Sequence, residues 1–428
     1  HKYDPIKQKD YYSTFAFFNQ VPEKGLVGDI SLASLADPPR MNITTPDIMG
    51  LLKFINKKDT TPVPVMIMKD SSVVRTTHIL KRGVYDQPGD SVDFSTPAGI
   101  FLFDTLKFKK NRLGLAQWLF DKNNPLTSRV YVNRVWQSFF GRGLVKTSGD
   151  FGMQGDPPSH PELLDWLAID FRDHGWDIKR LVKQIVTSAT YRQSSVISKQ
   201  QQETDPENIY LSRHSRMRLP AEFIKDHIMA SSGLLNEEIG GPSVKPYQPK
   251  GIWESSTSGR GQLAAYVQDH GGKLYRRGMY TFIKRTAPPP SMLTFDGSNR
   301  DQCEVRRVTT NTPLQALVLL NDPQVSEAAR VLAQSINAQN LPREEKITKA
   351  FRLILCRTPE ANEKKILTEY FNTEKAKFDQ SPLKAKALLK SGEYRLVNSK
   401  ESNTDTESAA LMQVIQTMYN MEEAISIG

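Results

Sequence analysis

At 428 residues the chain exceeds what one hydrophobic core organises comfortably, since single cores stop growing at about 250 to 300 residues, so two or three packed subdomains are expected. Hydrophobic residues at 38% support a packed interior, and no stretch approaches the ~20 consecutive apolar residues of a membrane-spanning helix, which excludes a membrane span. The formal charge of +10 favours polyanionic partners, but the basic residues fall in scattered pairs such as Arg276-Arg277, Lys284-Arg285 and Arg306-Arg307; without a Lys/Arg tract, zinc-finger spacing or aromatic RNA-binding motif, nucleic acid is not an expected partner.

Pro5 to Asn19 gathers Tyr11, Tyr12, Phe15, Phe17 and Phe18 and predicts a buried helix. Thr45-Pro46-Asp47 predicts the start of a short helix through Leu51, Leu52 and Ile55, with proline in its first turn. Val63 to Lys69 and Thr76 to Lys81 carry the β-branched content of strands and predict a small hairpin or sheet. From Asn111 to Phe140 the apolar spacing becomes helical, and Gly141 and Gly143 stop it.

Ser159-His160-Pro161-Glu162 predicts a capping box and a helix through Leu163, Leu164, Trp166, Leu167 and Phe171. Asp177 begins a partner helix across the short His174-Gly175-Trp176 turn. Pro220 opens a further helix, Gly240 to Gly272 is a long loop-rich stretch, and Tyr275 to Lys284 has the content of a strand. From Thr312 to Ile427 nearly everything is helical. The expected fold is therefore mainly α and multi-helical with a minor β component, and Trp136, Leu163, Trp166, Leu167, Leu317 and Leu320 are expected in the core.

The string NRVWQSFFGRGLVKTSGDFGMQGDPPSHPELLDWLA, from Asn133 to Ala168, resembles the planctomycete-specific domain of planctomycete-type cytochrome-associated proteins. Further blocks resemble it in the same order, among them RLPAEFIKDHIMASSGLL, GGPSVKPYQPKGIWE, RRGMYTFIKRTAPPPSMLTFDGSNRDQCEVRRVTTNTPLQALVLLND and AALMQVIQTMYNMEEAI. The resemblance implies three regions: 1–62, the helical end of a cytochrome-associated domain; 63–110, a small β-containing linker; and 111–428, the planctomycete-specific helical domain, with a loop-rich insertion near 240–272. It also implies an exported bacterial protein, extracytoplasmic in the periplasm or at the cell surface, that serves as a binding or assembly module of a polysaccharide-handling system. The alternative is an extracytoplasmic enzyme acting on carbohydrate, either as redox partner of an upstream haem domain or as a hydrolase or lyase.

Larger relatives are expected to carry a Cys-x-x-Cys-His haem attachment segment just upstream of the stretch resembling His1-Lys2-Tyr3-Asp4-Pro5-Ile6. Cys303 and Cys356 are far apart and neither precedes a histidine, so no covalent haem is expected on residues 1–428, and no metal site is expected either. His160 sits at a helix start where backbone N–H groups favour an anion, although the capping turn accounts for the same residues. Asp150 is a candidate carboxylate for glycoside hydrolysis. Arg285, Asp296, Cys303, Arg306 and Arg307 form a dense group suited to an acidic or sulfated glycan, with the thiol as a candidate nucleophile; internal ion pairing of the arginines with Asp296 and Glu304 is the competing reading. Trp253, in the Gly/Pro-rich region, is a candidate sugar-stacking platform.

Overall fold

Helices dominate the computed structural model, and among the described residues the strands form small two-stranded antiparallel sheets. It describes residues 3–22, 39–44, 63–256, 264–298, 300, 302–396 and 405–428. They divide into two units, His1–Arg216 with Gly428 and Met217–Ile427, each taken by itself.

The first unit opens with α1 (Gln8–Phe15). Its aromatics are split between faces: Tyr12 and Phe17 are buried, whereas Tyr11, Phe15 and Phe18 are exposed, so the expected burial holds for one face only. Strand β1 (Arg40–Ile43) pairs with β2 (Val63–Met66), and β3 (Thr77–Leu80) pairs with β4 (Pro88–Val92). The two predicted strands therefore exist but do not pair with each other, because pairing is set by partners outside the windows in which strand content is legible. The helix expected from Thr45 to Ile55 lies outside the described residues.

The helical run after Asn111 is two helices, α2 (Arg112–Leu119) and α3 (Thr127–Phe140). Asn111 caps α2 by accepting a hydrogen bond from the Gly114 amide at 2.9 Å. Between the helices, the Asn124 side chain accepts from the Leu126 amide at 3.0 Å and fixes the break. Gly141 ends α3 with φ of 73°, a left-handed conformation that glycine adopts without a Cβ penalty. Phe17, Phe103, Phe108, Leu115 and Trp118 form one small core.

Helix α4 (Pro161–Asp173) and α5 (Ile178–Thr187) make the predicted hairpin, with Asp177 capping α5 through the Arg180 amide at 3.0 Å. Val132, Trp136 and Phe140 of α3 meet Leu164, Leu167 and Phe171 of α4 in the second core. Trp136 and Leu167 are buried as expected and Leu163 is half-buried, but Trp166 is 57% exposed. One helix face can turn inward, and Leu164, Leu167 and Phe171 occupy it. The short α6 (Lys199–Thr204) starts with a Ser198–Gln201 capping box.

In the second unit β5 (Met217–Arg218) pairs with β6 (Ser426–Ile427), tying the two ends of the unit together. Between them lie α7 (Ala221–Ser231), α8 (Ile252–Ser255), α9 (Pro290–Thr294), α10 (Pro313–Asn321), α11 (Pro323–Asn337), α12 (Arg343–Leu355), α13 (Ala361–Gln380), α14 (Pro382–Leu388), α15 (Asp405–Tyr419) and α16 (Glu422–Ile425). Helix α15 packs on α11, α12, α13 and α14, and Ala409, Leu411, Met412, Ile415 and Met418 are fully buried. A helix apolar nearly all round is a core helix, and its neighbours enclose this one.

The strand expected over Tyr275 to Lys284 is not formed. That segment runs through 3₁₀ turns at Gly271–Tyr275 and Gly278–Tyr280, with isolated bridges from Arg276 to Asn236, from Thr281 to Val244 and from Lys284 to Ala287. It lies tight against α7 instead: the Gly278 amide donates to Asp226 Oδ1 at 2.6 Å, and a Cβ at Gly278 would stand 2.7 Å from the Glu222 carbonyl oxygen. Leu317 and Leu320 of α10, expected in the core, are 53% and 42% exposed. Helix α10 is apolar on several sides, so periodicity does not choose its inner face. Gln315 chooses it, because its buried amide donates to Thr294 and Thr310 carbonyls at 2.9 and 3.0 Å.

A buried polar cluster fixes the segment after α14. Glu327 and Arg330 of α11 are almost fully buried; Glu327 accepts from Tyr275 Oη at 2.9 Å and from the Tyr394 amide at 2.5 Å, and Arg330 donates to the Ser391 carbonyl at 2.8 Å. Gly392 sits beside it at φ 76°, where a Cβ would fall 2.2 Å from the Glu327 side chain, so only glycine fits.

Candidate functional site

His160 and Asp150 belong to the first unit, and Arg285, Asp296, Cys303, Arg306 and Arg307 to the second. Within the first, Asp150 organises a loop: its Oδ1 accepts from the Gly152 amide at 2.8 Å, while its carbonyl accepts from Thr147 Oγ1 at 2.9 Å. His160, not Ser159, is the residue capping α4 in position, and no side-chain cap bond is made there, so the expected Ser159–Glu162 box does not form. Ser159 is held elsewhere, its amide donating to the Leu144 carbonyl at 2.8 Å, and His160 Nδ1 lies 3.0 Å from Ser159 Oγ.

Within the second unit, the arginine-rich stretch is a loop pinned at both ends. Asp296 accepts from the Thr310 amide at 2.9 Å and from Thr310 Oγ1 at 2.8 Å, and it also pairs with Arg218, whose other nitrogen donates to the Thr310 carbonyl. Burial opposes ionisation of Asp296, but the Thr310 and Arg218 hydrogen bonds outweigh it and hold the carboxyl below its usual range. Arg307 is bound to Glu222 of α7 in bidentate fashion, Nη1 to Oε2 at 2.6 Å and Nη2 to Oε1 at 3.1 Å. Burial raises the Glu222 carboxyl and this pairing more than compensates. Arg285, Cys303 and Arg306 are exposed, and among the described residues the side chains of Arg285 and Arg306 make no ion pair.

Trp253 is not a platform. It is 1% exposed, packed against Tyr266 and Phe282 with ring centroids 5.0 and 5.7 Å away, and the amines of Lys245 and Lys284 lie 5.2 and 4.7 Å from its ring. Its burial in a loop region follows from these aromatic neighbours, which come from chain segments that spacing alone does not join. Its ring is engaged on the protein and leaves no face for a sugar.

A family model described as PSD1, a protein of unknown function (DUF1553), matches residues 111–371. The chain belongs to the PSD1 family. No curated protein and no solved structure matches it. The PSD1 stretch holds the pinned loop just described, and with it a cavity that no sequence motif signals.

This PSD1 cavity, of about 50 Å³, lies among α7, α9, α10 and the start of α11. Ile228, Phe295 and Leu319 give it apolar walls, and Lys225, Ser291 and Asp322 enter it as polar groups. Lys225 Nζ makes one hydrogen bond, to Thr281 Oγ1 at 3.2 Å, and among the described residues it has no ion-pair partner. Burial pulls the Lys225 amine down to about 8, against the opposing pull of Asp322 and Asp226. Asp322 caps α11 through the Gln324 and Val325 amides at 2.7 and 3.4 Å, yet burial outweighs those bonds and holds its carboxyl above the usual range. A perturbed amine and a perturbed acid lining one apolar cavity form a candidate site on physical grounds. The signal that could have found it is a lysine among Ile224, Ile228 and Met229 on the inward face of α7.

Proposed function

We propose that the chain works outside the cytoplasm as a binding or assembly module of a polysaccharide-handling system, taking an acidic or sulfated glycan on the exposed arginine surface of the second unit. The observation that carries this reading is the division of labour among the arginines. Arg218 and Arg307 are committed to Asp296 and Glu222, which fixes the loop, whereas Arg285 and Arg306 are exposed without ion pairs among the described residues. A guanidinium in that state offers its planar fork to sulfate or carboxylate, and the net charge of +10 draws anions toward it.

Isothermal titration with a heparin-derived sulfated oligosaccharide tests it. The double variant R285A/R306A is expected to bind about tenfold more weakly than the unaltered chain, with the difference shrinking as salt rises. Both positions are exposed, so the melting temperature should stay within about a degree or two of the parent. Equal affinity of the two proteins across the salt range would overturn the reading.

A further inference from the structure

The cavity beneath α7 offers chemistry that glycan binding does not use. We propose that it is a site for a small aldehyde, held as a reversible imine on Nζ of Lys225. An exposed lysine is a hydrated cation; Lys225 instead is half-buried and lines the cavity together with Ile228, Phe295 and Leu319, its amine bonded to the Thr281 hydroxyl and, among the described residues, without an ion pair. An ammonium in such a place lacks the solvation that stabilises it, whereas a neutral amine with one hydrogen bond is accommodated. The lone pair of a neutral amine is what attacks a carbonyl carbon.

The charged groups around the amine do not reverse this. Asp322 and Asp226 favour the ammonium, but both carboxyls are themselves pushed upward by burial, and Asp226 is further influenced by Arg277 and Glu222. With the amine near 8, about a tenth of it is free base at pH 7, against fewer than about one in a thousand for an exposed lysine.

Size narrows the ligand. A cavity of about 50 Å³ has room for roughly three or four water-sized groups, which fits an aldehyde of two or three carbons and not a sugar ring. In the reaction the Nζ lone pair forms the N–C bond as the carbonyl π pair moves to oxygen. A proton passes from nitrogen to that oxygen, giving a carbinolamine. Loss of water then leaves the imine, so one amine and one aldehyde give one imine and one water. Asp322 lines the same cavity with a carboxyl whose protonated form burial favours. It is the acid available to protonate the departing hydroxyl and to take back the nitrogen's proton.

The test is reductive trapping on the full chain. Glycolaldehyde with sodium cyanoborohydride converts an imine to a stable secondary amine, and peptide mass spectrometry then reads labelling at each lysine. At pH 7 Lys225 is expected to label about tenfold faster than exposed lysines such as Lys9 and Lys384, since its larger free-base fraction outweighs its lower basicity. Its rate should level off above a pH of about 8, while theirs keep rising toward their ordinary range near ~10.4. In Lys225→Met the fast label should vanish with the slow ones unchanged. Lys225→Arg, which keeps the charge, should also abolish it, separating loss of the nucleophile from loss of folding. Labelling of Lys225 no faster than Lys9 and Lys384 in the parent chain, whatever the variants do, would overturn the proposal.

Discussion

Arg307 and Glu222 stand 85 residues apart in the chain and meet through two parallel hydrogen bonds of 2.6 and 3.1 Å. The pair joins the loop before α10 to the first turn of α7, so a guanidinium that reads as a ligand group in the sequence is a fastener in the fold. Replacing Arg307 by alanine is therefore expected to lower stability by about 1 to 2 kcal/mol, since Glu222 is largely buried and loses its charge partner. Urea unfolding measures this directly. An unchanged midpoint would show that the pair contributes nothing net.

Asn133, buried inside α3, holds the chain that follows that helix. Its Oδ1 accepts from the Val145 amide at 2.8 Å and its Nδ2 donates to the Val145 carbonyl at 3.1 Å, and Gly143 lies so close that a Cβ there would come within 2.6 Å of the amide nitrogen. Asn133→Leu should cost about 1 to 3 kcal/mol, because the Val145 amide would be left buried without its acceptor and the Val145 carbonyl would keep only the long hydrogen bond from Ser148 Oγ at 3.4 Å. A melting-temperature drop of several degrees is expected. Asn133→Asp should be the milder change only at low pH, where a protonated carboxyl can still donate.

The Lys225 amine sets a pH dependence whose sign is fixed by linkage. Its pKa falls from 10.5 unfolded to about 8 folded, so between those values the unfolded chain binds more protons and stability rises with pH. Below about 8 both states hold the proton and the full cost of the buried ammonium is present. Lys225→Met should therefore be more stable than the parent at pH 7, on the order of 1 to 3 kcal/mol, with the gap closing as pH approaches about 10.5. Denaturant titrations at pH 7, 8, 9 and 10 follow it; a gap that is constant with pH would mean that the amine is ordinarily solvated.

The sequence by itself determined several of the helix boundaries. Asn111, Asp177 and Asp322 as caps, Pro313 and Pro323 in first turns, and Gly141 past the end of α3 all act within a turn of their own position, so these signals are local and legible. It also determined α15 as a core helix, since AALMQVIQTM has no polar face broad enough for solvent. Only the tertiary structure decided which strands pair, that Trp166, Leu317 and Leu320 face outward, that Trp253 is enclosed, and that the Tyr275 segment lies against α7 as turns rather than in a sheet. The same holds for the site residues: Asp296 and Arg307 are paired with Arg218 and Glu222, residues 78 and 85 positions away. Lys225 owes its altered amine to walls supplied by α9, α10 and α11. Burial and ion pairing depend on what the folded chain brings from far along its length, and a window of a dozen residues contains none of those partners.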